Sequence, residues 1–106
     1  LALLLTAAAA PADDWPQWLG PKRDAVWRET GVIQKFPAGG PKKVWTVPVG
    51  LGYAGPAVAG GKVYVTDRQL GAGQQNPANA FDTKTVVRGV ERVLALDEKT
   101  GNTLWK

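Results

Sequence analysis

The residues whose types and spacing are most specific lie in the segment 95–105. Asp97 and Thr100 flank a short turn, where an aspartate carboxylate can accept hydrogen bonds from turn N–H groups and from the threonine hydroxyl. Gly101 follows, and a residue without Cβ readily adopts the positive φ that closes such a turn. This spacing therefore predicts hydrogen bonding within a turn, and no catalytic residue is assigned.

Two tryptophans are candidates for an aromatic ring that packs between this sheet and a neighbouring one. Trp105 is expected to lie flat at the edge of its sheet, where a neighbouring sheet covers it, and Ala95 is small enough to let the ring approach. Trp45 is interpreted as an earlier copy, although residues 38–41, Ala-Gly-Gly-Pro, replace the turn before it. The predicted structural docking motif comprises Ala95, Asp97, Thr100, Gly101, Trp105 and Trp45.

The sequence of residues 95–105, ALDEKTGNTLW, fits the pattern A-x-D-x-x-T-G-x-x-x-W. This resembles the tryptophan-docking repeat of the pyrroloquinoline-quinone (PQQ)-type β-propellers. That group includes quinoprotein alcohol dehydrogenases and the propeller lipoprotein of outer-membrane protein assembly. The leader DWPQWLGPKRD over residues 14–24 also resembles the start of an exported bacterial subgroup, with Leu19 where arginine is usual and Ala25 where glycine is usual. The resemblance implies fold and compartment, and no activity.

Composition excludes several kinds of site. The chain has no Cys and no His, which removes zinc sites, thiol chemistry, disulfides and histidine-based triads from this segment. The net charge is +4, but the basic residues are scattered instead of clustered on one face with aromatics between them. We therefore expect a solvated basic surface and no nucleic-acid partner. Binding of an acidic glycan or nucleic acid is the weaker alternative.

The elements that must position these residues are short strands. Thirteen glycines and eight prolines leave no room for a long helix, and β-branched and aromatic runs lie between them. Val44–Val47 is predicted as a strand that Pro48 ends. A four-stranded meander is predicted from Ala57 to Trp105, with strands over residues 57–59, 62–66, 92–96 and 102–105. The fold class is all-β, an antiparallel four-stranded blade of an incomplete β-propeller similar to that of quinoprotein alcohol dehydrogenases.

The domain organisation follows from the same signals. Residues 1–12 are too short an apolar run to span a bilayer, and they predict a partial signal peptide cleaved after Ala12; a buried helix is the alternative. Export to the periplasm or secretion is the expected localisation, without a membrane span. Residues 13–43 form an irregular leader in which Trp15 and Trp18 are expected to press against the body of the fold. Residues 44–106 form the first blade plus a closing strand, truncated at the C-terminus, with a long loop over 68–89.

Two functions from different classes remain open. The first is a non-catalytic binding or scaffold module whose partners are the remaining blades and a protein that contacts loop 68–89. The alternative is the N-terminal piece of a PQQ- and calcium-dependent quinoprotein dehydrogenase. For that alternative, the resemblance implies that PQQ and calcium bind elsewhere in the full-length protein and that neither binds this segment. Asp67 and Asp82 are the carboxylates considered for that chemistry. Asp67 is placed at the end of the second strand, and both are interpreted as turn residues.

Overall fold

The computed structural model describes residues 12–79, 81–82 and 84–106. The segment predicted as a partial signal peptide, apart from Ala12, lies outside them. The described chain is all-β without a helix, as the sequence predicts, and forms one open antiparallel sheet in the order β1-β2-β3-β4. The strands are β1 Ala57–Ala59, β2 Lys62–Leu70, β3 Gly89–Asp97 and β4 Thr103–Trp105. Nowhere in those described residues is there a helix long and apolar enough to cross a membrane.

The first hairpin follows directly from its two glycines. Gly60 and Gly61 both adopt positive φ, +57° and +72°, the conformation that a two-residue turn needs to match the twist of its strands. The register opposes Ala59 to Lys62 on either side of this pair. The turn thereby determines which side chains of β1 and β2 share a face.

The loop between β2 and β3 is shorter than the predicted range of 68–89. Arg68 to Leu70 continue β2, and Gly89 to Glu91 begin β3, so these strands have nine residues each and the loop covers 71–88. Their ladder runs without a break from Lys62↔Asp97 to Leu70↔Gly89. The sequence did not reveal these strand ends, because all six of their residues are exposed and carry no burial pattern.

The predicted strand Val44–Val47 is wrong. These residues form no ladder with the sheet, although their polypeptide lies against it. An alternating pattern specifies a strand only where a neighbouring strand offers free backbone groups. Residues 45–50 instead contact the sheet through Trp45 at one end and the amide of Gly50 at the other.

The core is centred on β3, where three consecutive residues are buried: Leu94 is 3 % exposed, Ala95 0 % and Leu96 2 %. Since successive side chains point to opposite faces, burial of all three requires cover on both sides of the sheet. The ladder places Asp67 on the same face as Leu94 and Leu96. The Gly50 amide donates to Asp67, so the chain reaches that face at residue 50.

The leader is attached at the edge of the sheet. Trp15 forms two backbone hydrogen bonds with Val58, 2.9 and 3.0 Å long, and thus pairs with the outer side of β1. Its indole lies so close to Gly20 that a Cβ there would be 2.7 Å from the ring. The backbone of Trp15 thus joins the leader to the sheet, while its ring packs on a glycine of the leader itself. The expectation that Trp18 presses against the body of the fold is wrong, because that side chain is 77 % exposed.

Candidate functional site

The turn between β3 and β4 is organised by one carboxylate. Oδ1 of Asp97 accepts hydrogen bonds from the backbone N–H of Lys99 at 3.1 Å and from the N–H and hydroxyl of Thr100, both at 2.8 Å. The N–H of Gly101 donates to the Asp97 carbonyl at 2.8 Å, and its φ is +73°. The Thr100 hydroxyl bond, followed by the backbone bonds, lowers the pKa of Asp97. The roles that the sequence predicts for these three motif residues are confirmed.

An indole from outside the sheet lies on this turn. Nε1 of Trp45 donates a hydrogen bond to the carbonyl oxygen of Glu98 at 2.8 Å. A Cβ on Gly101 would lie 2.8 Å from Cδ2 of the same ring, so the indole rests directly on the glycine backbone. Trp45 is half-buried as a result. The absence of a side chain at Gly101 thus has a second function besides its backbone conformation, which is to make room for the ring.

Trp105 has a different environment. It lies opposite Ala95 in the ladder, beside a register shift at Ala95/Leu96. Its ring is inclined by 51° to that of Tyr64, with 6.1 Å between the centroids. Such a tilted aromatic pair covers the small side chain of Ala95, which is fully buried. Trp105 itself stays 50 % exposed, so two tryptophans that look alike in sequence differ in what they contact.

The structure therefore places all six predicted motif residues in two adjoining groups. Trp45 joins Asp97, Thr100 and Gly101 at the turn, and Ala95 joins Trp105 on the sheet. Sequence reasoning missed Glu98, whose contribution is its backbone carbonyl. Every residue has a backbone carbonyl, so the residue type at position 98 does not reveal this acceptor. Only its position directly after Asp97 could have indicated it.

No family model, curated protein or solved structure matches this chain. The turn over residues 97–101, on which Trp45 lies, is called the docking turn, and its own geometry is the evidence for its role.

Asp67 is a functional candidate that the sequence misplaced. It lies within β2 and not at its end, and it is 1 % exposed. Its carboxylate pairs with the Arg92 guanidinium, with Nε donating to Oδ1 at 2.8 Å, and Oδ2 also accepts the N–H of Gly50 at 2.6 Å. These bonds, the one from Arg92 first, lower the pKa of Asp67 to about 2. The turn interpretation of Asp67 is wrong because the strand continues past it.

Asp82 is a turn residue, as predicted. It accepts hydrogen bonds from the backbone N–H of Lys84 at 2.8 Å and of Thr85 at 3.2 Å, and from the Thr85 hydroxyl at 2.6 Å. The hydroxyl bond contributes most to lowering the pKa of Asp82. The carboxylate is thus used to hold the loop in shape.

The carboxylates considered for calcium do not form a site together. Across residues 12–79, 81–82 and 84–106, no group of three or more His, Cys, Asp or Glu side chains lies close enough to hold a metal ion. Both oxygens of Asp67 bind Arg92 or Gly50, and a cation there would have to displace a guanidinium. Asp67 therefore does not fit the role of a calcium ligand, and no reaction step is assigned to it.

Proposed function

We propose that this chain contributes the first blade of an exported PQQ-like repeat β-propeller, which acts as a non-catalytic binding or scaffold module. The sheet has the number and order of strands of one blade, joined as a meander. The periplasm or the exterior of the cell is the proposed location, because of the apolar N-terminal segment. The partners are the remaining blades and, through an exposed loop, a second protein.

The contact between Trp45 and the turn is the observation that carries this proposal. The ring comes from a segment outside the four strands, and it contacts the turn through both its N–H group and its face. In a propeller, the corresponding tryptophan of each blade would serve the turn of the next one. Trp45 would then provide the docking ring for this turn from a segment that precedes the four strands.

The exposure of Trp105 supports the same arrangement. Its indole follows the turn in the motif, and half of its surface is accessible. Val93, on the same face by strand alternation, is 47 % exposed. Two neighbouring apolar side chains left accessible on one face of a sheet are typical of a surface that a further sheet covers.

Protection of the Trp105 indole N–H tests the propeller in the intact protein. Hydrogen exchange followed by NMR should show Trp105 protected to a similar degree as Trp45, because both would donate to a carbonyl of a neighbouring turn. Trp18, which is 77 % exposed, is the matched control and should exchange freely. Free exchange at Trp105 would contradict the assignment.

Activity separates the scaffold from the dehydrogenase. Supplied with PQQ and calcium, the intact protein should show no dye-linked oxidation of alcohols. Turnover that depends on both additions would contradict the scaffold role and favour the quinoprotein alternative, while leaving the blade itself in place.

A further inference from the structure

A cleft of about 950 Å³ opens between loop 71–88 and the sheet. One wall is formed by residues 51–54 and by the later half of β2, and the other by loop residues 76–78, 81–82, 85 and 87. This volume is in the upper part of the range for ligand sites, which is roughly 300–1,000 Å³. The cleft lies at the end of the sheet away from the docking turn, since Arg68 is six residues along β2 from Lys62, the partner of Asp97, or about 20 Å.

Two aromatic rings line this cleft and are highly accessible. Tyr53 is 82 % exposed and Phe81 is 84 % exposed. They belong to different segments, one before β1 and one in the loop. Each ring has a flat apolar face, and both lie in a cleft that is open to solvent. This arrangement suits a ligand with an apolar face that can stack on a ring.

Two of the three carboxylates that line the cleft are paired with a guanidinium. The guanidinium of Arg68 pairs with Glu91 at 2.8 Å, and Asp67 pairs with Arg92. The Asp82 carboxylate accepts three hydrogen bonds from the adjoining loop. These three donors are uncharged, so Asp82 keeps its negative charge and the cleft disfavours an anionic ligand. The unfilled lone pairs of these carboxylates, together with the amide of Asn76, can still bind hydroxyl groups.

We infer that this cleft is a binding site for a neutral oligosaccharide. A sugar ring combines an apolar C–H face, which stacks on Phe81 or Tyr53, with hydroxyls that donate to Glu91 and Asp82. This inference rests on the proposed binding role and names its ligand class. It differs from the basic-surface alternative, because it requires neither a charged glycan nor the scattered lysines.

Calorimetric titration of the intact protein with maltohexaose and with cellohexaose tests the inference. At least one should bind with a Kd of about 1 mM or lower, and Phe81→Ala and Tyr53→Ala should each weaken it by about 10-fold. Val86→Ala, in the same loop but outside the cleft lining and 83 % exposed, is the matched control and should bind as the parent does.

Absence of binding by both sugars, or equal losses in the Val86→Ala control, would overturn the inference. Tighter binding of tetramethylammonium than of either sugar would do so as well, since it would indicate a cation site. The Trp105 exchange measurement on the same samples separates the two proposals: protection of Trp105 without sugar binding would reject the cleft and keep the propeller. Circular dichroism of each variant excludes loss of fold as the cause.

Discussion

The indole of Trp45 and the carbonyl of Glu98 are joined by a 2.8 Å hydrogen bond that spans 53 positions of the chain. This bond connects an irregular segment to the turn between β3 and β4. The ring also lies on the backbone of Gly101, so the hydrogen bond fixes the orientation of the indole and the glycine fixes how closely it approaches the turn. The contact holds the polypeptide before β1 against the sheet.

Replacing Trp45 by phenylalanine should lower the free energy of unfolding by about 0.5–1.5 kcal/mol. The substitution keeps an aromatic ring over Gly101 but removes the donor to Glu98. Urea unfolding followed by circular dichroism measures the change. Trp18→Phe alters an exposed ring and should stay within about 0.5 kcal/mol of the parent; an equal loss in both variants would show that the bond contributes nothing.

Gly101→Ala should destabilise the protein more than Gly31→Ala. Both glycines have nearly the same φ, +73° and +74°, so the cost of a left-handed alanine, about 1–2 kcal/mol, is common to the two. Only at Gly101 does the new Cβ meet the Trp45 ring, whereas nothing lies within 4 Å of Gly31. We expect an additional loss of about 1–3 kcal/mol at Gly101 from overpacking. Equal unfolding midpoints of the two variants would refute the close approach.

Ala25→Gly should stabilise the protein by about 0.5–1 kcal/mol. Ala25 has φ +58°, where a Cβ is strained by about 1–2 kcal/mol, and the gain exceeds the entropic cost of glycine. Ala38→Gly, in another exposed stretch but without positive φ, is the control and should be neutral or destabilising. A lower thermal midpoint for Ala25→Gly would be inconsistent with the strain.

Acid should weaken the fold partly through Asp67. Its pKa is about 2 in the folded protein and about 3.9 in an unfolded chain. The carboxylate binds fewer protons when folded, so its stabilising contribution is complete above about pH 4 and is lost as the pH falls toward 2. Urea unfolding of Asp67→Asn across this interval should show a shallower dependence on pH than the parent.

The control for this effect is Asp24→Asn. Asp24 also has its pKa lowered to about 2, by its hydrogen bond with Arg28, but that ion pair is solvent-exposed and screened. The Asp24→Asn variant should therefore lose nearly as much free energy of unfolding in acid as the parent does. An unchanged pH profile in Asp67→Asn would show that the buried pair with Arg92 does not couple to folding.

The sequence by itself determined the local structures of this protein. The Gly60-Gly61 hairpin and the turn from Asp97 to Gly101 were predictable, because the groups that bond there are at most a few positions apart and their spacing specifies the geometry. The all-β class followed from the same punctuation of short apolar runs by glycine and proline.

The tertiary structure decided which distant groups meet. The pairing of Asp67 with Arg92 required the register of β2 on β3, and the position of Trp45 on Gly101 required the path of a segment that forms no strand. Residue types are compatible with many such pairings, and only the packed sheet selects one. The physical reason is that a long-range contact depends on the whole ladder between its partners, whereas a turn depends on its own few residues.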